Sequence, residues 1–406
     1  MKQKNKGFSR RDFLKTAGAA GIGSILAPYV GGVANSEASE NNVSGKVPTR
    51  PFGKSGVNVS ILSLGGMFDI PSNQIILKQA IRMGVTHWDT ANSYGYGQSE
   101  KGIGRFFQSN PDTRSQVFLV TKSGERDPSG LSKMLDTSLE RMNTSYVDLF
   151  FVHGIRRISE IDNKTRAWAE DAKSKGKIRF FGFSTHSNME NCLLDASKLG
   201  WIDGIMMTYN FRIMHSDAMQ RAVSACHEAG IGLTAMKTQG GGPVKTDSES
   251  ELKIAGRFVQ KGFTPEQAKL MAVWENPAIA NICSQMPSMN LLAVNTAAAM
   301  KRESLTTSDF RLFDEFDNET ASDYCAGCAH LCESVLTHSI PVCDVMRYLM
   351  YARNYGEKEL AVNLFKEIPQ KVRHQLYKAD YSMAEKRCPR HLAIGRLMRE
   401  ATLELA

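Results

Sequence analysis

The chain has no uninterrupted apolar run of the roughly 20 residues that a membrane-spanning helix needs. Its best candidate, from about Thr16 to Gly32, is broken by Pro28 and several glycines. No stable membrane span is expected. Basic runs interleaved with aromatics are also missing, which argues against nucleic acid as a partner. The formal charge of +8 does not reverse this. Residues 1–34 hold six Lys/Arg against one Asp, a contribution of +5, leaving only +3 for the remainder. No G-x-G-x-x-G follows the first apolar β-branched run, which leads instead into Leu64-Gly65-Gly66-Met67. An open dinucleotide-binding sheet is thereby disfavoured. Cysteine is sparse over the first four fifths of the chain. Cys192, Cys226 and Cys283 are solitary, lie in apolar surroundings and read as buried, inert thiols rather than a disulfide framework.

What the N-terminus does contain is Ser9-Arg10-Arg11-Asp12-Phe13-Leu14-Lys15, preceded by Lys2, Lys4 and Lys6. A weakly apolar Ala/Gly-rich run follows, with small residues around Ala34 and Ala38 where a peptidase could cut. This reads as a twin-arginine export signal with its linker over 1–38. Such a signal implies a periplasmic or otherwise exported protein that folds, and takes up any cofactor, before it leaves the cytoplasm.

After a polar linker, short apolar β-branched runs begin near Val59, Thr86, Val117, Tyr146, Phe180, Ile202, Ile231 and Ile279. Each leaves room for a helix before the next. Gln74 to Met83, Leu131 to Met142 and Arg166 to Lys175 carry helical spacing, and Gly84, Gly176 and Gly230 stand where helices should stop. Eight strands alternating with helices predict an α/β protein with a (β/α)8 barrel over 46–302. Arg50 to Gly56 suits a hairpin plugging the barrel floor. From 303 to 406 no strand is convincing. Asp344 to Tyr355, Leu360 to Glu367 and Ile394 to Leu405 predict a small, helical, cysteine-rich module.

Barrel enzymes place their chemistry at the C-terminal ends of the strands. Here those ends bring Asp89 and then Tyr94 after the second strand, Lys122 at the third and His153 at the fourth. A tyrosine with its usual pKa near 10 is a poor proton donor at neutral pH. A neighbouring ammonium favours phenolate and should lower that pKa. A carboxylate keeps the ammonium from being a lone buried charge, and an imidazole can orient a substrate oxygen or share in proton relay. Reduction of a carbonyl by hydride needs such a set, because a proton must reach oxygen while hydride reaches carbon.

The segments Gly84 to Glu100 (GVTHWDTANSYGYGQSE), Leu139-Glu140-Arg141 through Tyr146-Val147-Asp148-Leu149, and Gly176-Lys177-Ile178-Arg179 resemble the aldo/keto reductases. The resemblance spans roughly residues 47–300. It implies a barrel binding NADP(H) in extended form, acting on a small carbonyl or alcohol, with Asp89, Tyr94, Lys122 and His153 as catalytic tetrad and Tyr94 as general acid. It also implies that Ser184 holds the carboxamide, with Thr185 in place of the usual Asn. Tyr209 and Asn210 would line the ring, and Asn295 would contact adenine. Lys237 leads into Gly240-Gly241-Gly242, where backbone could approach a pyrophosphate. Met206 stands where a Gln is common. Pro287 stands where many members carry an Arg for the 2′-phosphate, so NAD remains open beside NADP.

The other five cysteines crowd into the last fifth of the chain. Cys325-x2-Cys328-x3-Cys332 is a ligand-like spacing, and a fourth thiolate is offered by Cys388, which precedes Pro389, or by Cys343. A Cys-Pro pair apart from a tight cysteine group recurs in iron–sulfur proteins, and Ile340 to Gly356 resembles the ferredoxin-like tail of some aldo/keto reductases. The reading expects a [4Fe–4S] cluster on Cys325, Cys328, Cys332 and Cys388, for electron relay or stability, and with it a redox partner protein. A structural zinc or disulfides are the alternatives for the same thiols. A non-catalytic nucleotide-binding barrel, acting as sensor or scaffold, is the alternative for the whole.

Overall fold

A computed structural model of the protein describes residues 45–241, 249–321 and 324–406. The expected export signal and Gly242 lie outside the described residues. Two short antiparallel strands, β1 (Thr49–Pro51) and β2 (Asn58–Ser60), precede eight parallel strands that close into a barrel. These are β3 (Leu62–Gly65), β4 (His87–Asp89), β5 (Phe118–Ser123), β6 (Val147–Val152), β7 (Ile178–Thr185), β8 (Gly204–Thr208), β9 (Gly232–Met236) and β10 (Ile279–Gln285). β10 closes the ring by pairing with β3 in register Ile282 to Leu62. All eight predicted strands are present. The first begins later than its apolar run, because Asn58–Ser60 is taken by the hairpin before the chain turns into the barrel.

The hairpin seals the floor as its sequence suggests. Phe52 is fully buried, 5.5 Å from the Phe118 ring and edge-on to His87. A Cβ at Gly204 or Gly232 would come within 2.8 or 2.5 Å of the Phe52 ring, so these strands must carry glycine where the plug enters. Burying such a ring contributes roughly 1.5–3 kcal/mol. Arg50 fixes the hairpin by donating to the carbonyls of Trp274, Asn276 and Ile279.

Helices alternate with the strands, among them Gln74–Arg82, Pro128–Arg141 and Asn163–Ser174 at the predicted places. Gly84, Gly176 and Gly230 follow helices with φ of 81°, 68° and 72°, the left-handed geometry that a helix stop favours. Asp127 and Asp162 cap the next helices through their side chains.

Beyond residue 303 no strand occurs among the described residues. The helix Thr307–Glu319 packs on the barrel, with Phe313 stacked on Phe258 and close to Phe211. Helices Val342–Asn354, Lys358–Glu367, Gln370–Lys378, Ser382–Arg387 and Ile394–Leu405 form a second core around Phe365, Leu376 and Met398. This tail docks on the C-terminal rim of the barrel. Arg156 pairs with Asp344 at 3.0 Å and also with Glu333. Asp317 accepts from Arg212 on the rim and Arg390 in the tail, each at 2.6 Å. Among the described residues no helix is long and apolar enough to cross a membrane.

Candidate active site

The ends of β4, β5 and β6 bring Asp89, Lys122 and His153 to one rim, and the loop after β4 returns Tyr94 over them. Lys122 is the hub. Its ammonium donates to Asp89 Oδ1 at 2.6 Å, to the Thr90 carbonyl at 2.7 Å and to the Tyr94 hydroxyl at 3.3 Å. All three of its protons are therefore used. His153 stands edge-on to Tyr94, with ring centroids 5.9 Å apart. The four residues expected together are together.

Their protonation departs from the sequence expectation in one respect. Burial pushes the Tyr94 phenol up to about 12, although Lys122 pulls it the other way. The expected lowering is outweighed because a phenolate here would lose its water, and Asp89 adds a repelling charge. Tyr94 is thus held as a neutral phenol with its proton in place. Lys122 is raised by Asp89 and Tyr94 against the opposing effect of burial, so it stays charged. Burial, with Lys122 and Arg347 nearby, holds the His153 imidazole down to about 3, hence neutral.

The segments that carry the family resemblance act as scaffolding for this geometry. Glu100, fully buried, accepts from Thr121 at 2.7 Å and from Arg141 at 3.0 Å. Arg141 also donates to the Asn92 carbonyl, tying down the loop that bears Tyr94. That guanidinium lies where a Cβ on Gly97 would be, at 2.5 Å, which explains a glycine there. Asp148 receives Arg114 and Arg179 and the Leu119 amide, locking β5, β6 and β7 together. Glu100 and Arg141 were not singled out as functional by sequence reasoning. Their three-residue and seventeen-residue motifs were the only signal.

Cys283 packs against the apolar barrel interior as expected, but it has charged neighbours as well. It stands beside Asp89, Lys122 and Tyr94, and burial raises its thiol. Its position on β10, next to β3, was the missing information.

The expected cofactor residues occupy the opposite half of the rim. Ser184 is buried and accepts from the Gly154 amide at 2.9 Å, while Thr185 donates to the Ser187 carbonyl. Tyr209 is buried, its hydroxyl accepting from Asn276. Asn210 donates to the Lys237 carbonyl and to the Tyr324 hydroxyl. Lys237 takes a left-handed φ of 57° and sets its ammonium over the Tyr351 ring at 4.2 Å and the Tyr355 ring at 5.4 Å. Gly240 and Gly241 follow with positive φ. Asn295 sits apart on the helix Met289–Met300, bonded to Ser284. Met206 faces the apolar barrel interior. The tail therefore covers Asn210 and Lys237.

The five tail thiols converge. Cys325 Sγ lies 3.8 Å from Cys343 Sγ, and Cys332 neighbours Cys343. Cys328 has Cys325, Cys332 and Cys388 around it, and burial with these neighbours raises its thiol to about 12. All are unpaired, so the disulfide alternative is not what the structure adopts. Among the described residues no group of three or more His, Cys, Asp or Glu stands in metal-binding geometry.

The family model of the aldo/keto reductases matches residues 62–303. The chain belongs to the aldo/keto reductase family. An NADP(+)-designated aldo-keto reductase of Schizosaccharomyces pombe, yakc, is 27% identical over 215 residues, covering 48% of this chain and 62% of that one. L-galactose dehydrogenase of Arabidopsis thaliana is 25% identical over 289 residues, covering 64% and 90%. The chain thus spans less than two thirds of the first of these relatives. Among solved structures, the holo form of aldo-keto reductase AKR11C1 from Bacillus halodurans superimposes with a TM-score of 0.57 at 21% identity. It covers 70% of this chain and 98% of its own, a likeness of fold. The tail lies beyond the matched residues.

Proposed function

We propose that the protein transfers hydride between a nicotinamide nucleotide, NADP(H) or NAD(H), and a small carbonyl or alcohol substrate. The observation that carries this is Lys122, bonded at once to Asp89 and Tyr94 with His153 edge-on to the phenol. The nucleotide, when bound, supplies or accepts the hydride. Tyr94 holds the proton that goes to the substrate oxygen. Lys122 stabilises the phenolate left behind, Asp89 holds that ammonium in place and charged, and neutral His153 positions the substrate oxygen. Ser184, Thr185, Tyr209, Asn210, Lys237 and Asn295 are the residues we assign to the nucleotide. Their side chains fit it in type, and the positive-φ backbone at Gly240 and Gly241 suits a close approach by phosphate. The Asn210 to Tyr324 bond must open to admit a ring.

Cys325, Cys328, Cys332 and Cys388 would hold a [4Fe–4S] cluster. Support comes from the donor type, an all-thiol set gathered in the tail core, and not from preformed metal-binding geometry; Cys343 is the substitute fourth ligand. Bound there, it would supply one-electron transfer or brace the tail, and a redox protein is the partner that such chemistry calls for. Residues 1–38 would direct the folded protein out through the twin-arginine route, with 46–302 as catalytic barrel and 303–406 as its tail. The test is anaerobic purification, followed by an absorbance spectrum, mass analysis of retained nucleotide and turnover of carbonyls with NADPH or NADH. Loss of the carbonyl signal with both nucleotides would sink the catalytic reading.

A further inference from the structure

His153 owes its place to its backbone. Among the described residues no side chain hydrogen-bonds its imidazole, which stands edge-on to Tyr94. Its peptide groups are held on both sides instead. The His153 amide donates to the Ser123 carbonyl at 2.7 Å, and the His153 carbonyl accepts from Arg126 at 3.1 Å. The same guanidinium donates at 2.8 Å to the carbonyl of Gly124, two residues beyond Lys122. Arg126 thus joins the ends of β5 and β6 where they carry Lys122 and His153. A guanidinium suits this task, because its rigid fork sets the spacing of the carbonyls it spans.

The remaining nitrogen of that fork, Nε, donates to Glu160 Oε2 at 3.0 Å. With side chains 35% and 21% exposed, the ion pair adds little stability of its own. What it fixes is the plane of the guanidinium. Glu160 is in turn tied to the tail. Its Oε1 accepts from the Arg156 amide at 2.8 Å, and the Arg156 side chain pairs with Asp344 at 3.0 Å and with Glu333. The Arg156 carbonyl accepts from Asn188 Nδ2, and the Asn188 backbone amide donates to the Gly327 carbonyl at 2.7 Å. A continuous series of contacts therefore runs from the tail through Arg156, Glu160 and Arg126 to the His153 peptide.

We propose that Arg126 is a positioning residue for His153, and that the docked tail keeps it in place through Arg156 and Glu160. The role rests on the carbonyl-reductase reading and gives the tail a reason to lie against this rim. Without Arg126 the His153 peptide is free to rotate and its ring leaves the line to the substrate oxygen, while Lys122 keeps its bonds to Asp89 and Tyr94. The titratable and charged groups facing the imidazole are Lys122 on β5, Tyr94 after β4, Arg126 after β5, His186 after β7 and Arg347 in the tail. Burial holds His153 down at about 3, and the cations Lys122, Arg347 and Arg126 add to that. Removing Arg126 takes away one cation and loosens the peptide, so both effects move His153 up toward its usual value.

The experiment uses the full chain as isolated and two readouts. One is single-turnover reduction of propanal and benzaldehyde with NADPH and NADH. The other is an NMR titration of the histidine rings, with His153 assigned by His153→Gln. Arg126→Gln should slow turnover by about tenfold, the scale of one hydrogen bond to a charged group, with nucleotide affinity unchanged. The wild-type His153 ring, held at about 3, should show no titration above about pH 4.5, whereas in Arg126→Gln it should titrate between about pH 4.5 and 6.5. Arg126→Lys should recover part of both effects. Arg156→Gln should act in the same direction but less, and should add little when combined with Arg126→Gln. An unchanged His153 titration in Arg126→Gln would overturn the proposal, whatever the rate does. Equal shifts of the buried His87 and His186 would mark a general loosening and also overturn it. Full additivity of Arg126→Gln and Arg156→Gln would overturn the tail's part. Absence of carbonyl turnover in the wild type, with His153 responding as expected, would sink the reductase reading and leave the placement of His153 standing.

Discussion

Asn210 on the barrel rim donates its amide proton to the Tyr324 hydroxyl of the tail at 2.9 Å. On the proposed nucleotide assignment, a residue meant to face the ring is engaged by the chain itself, and nucleotide entry would compete with tail docking for one hydrogen bond. Tyr324→Phe should relieve the competition. A net bond of about 0.5–1.5 kcal/mol corresponds to a gain of roughly two- to tenfold in nucleotide affinity. Fluorescence titration with NADPH and NADH reads this directly, and unchanged affinity would show that the two do not compete.

Tyr94→Phe deletes only the proton donor. Carbonyl reduction should fall by about 10²–10⁴-fold with nucleotide binding nearly intact. A loss of less than about tenfold in single-turnover measurements would demote Tyr94. Lys122→Met should slow the same step and also destabilise the fold by about 3–5 kcal/mol, because Asp89 would be left buried without its partner. Adding Asp89→Asn should recover much of that stability, which denaturant titration would show.

The site should be insensitive to pH across the neutral range. Tyr94 is held at about 12 and His153 at about 3, so neither changes charge between about pH 5 and 9. A rate inflection near 6.5 in wild type, absent in His153→Gln, would show that His153 titrates after all. Stability behaves differently. Burial depresses His87, 1% exposed, to about 3 in the folded state. Its folded value lies below the unfolded one near 6.5, so its contribution is complete above 6.5 and is lost as pH falls. The slope should approach 1.4 kcal/mol per pH unit down to about 3. His153 and His186 shift in the same direction and steepen it. A Tm that is flat from pH 7 to 4.5 would contradict this.

Anaerobic protein should be brown and carry about four irons with matching sulfide. Cys388→Ser should lose the chromophore and Cys343→Ser should keep most of it. The reverse ranking would give the fourth position to Cys343, which stands 3.8 Å from Cys325. One tightly held zinc in colourless protein would replace the cluster by a structural ion.

Changing Arg10 and Arg11 to Lys should trap the precursor in the cytoplasm, as read by fractionation and blotting. Undiminished export of the double variant would remove the twin-arginine assignment.

The barrel was legible because parallel strands buried on both faces write themselves as short apolar runs, and every run from Thr86 to Ile279 became a strand. Asp89, Tyr94, Lys122 and His153 were legible because strand ends are fixed by those runs. The electrostatics were not. Whether Lys122 lowers Tyr94 depends on how dry the site is, and the dryness is a property of the packed rim. The charged neighbours of Cys283 were hidden for a related reason, since strand adjacency between the first and last strands is invisible along the chain. The helix Gln370–Lys378 escaped notice because it buries only Leu376 and shows little apolar periodicity.

The helix Val342–Asn354, which roofs the mouth, packs against Ile394–Leu405 through a core that includes Val345, Leu349, Leu397 and Met398. The roof is therefore completed by a segment that leaves the ribosome well after the barrel strands. Through synthesis the barrel can close its ring while its mouth stays open to solvent. Closure becomes the last step of maturation, and whatever the mouth and the thiols are to hold has its widest access before that step.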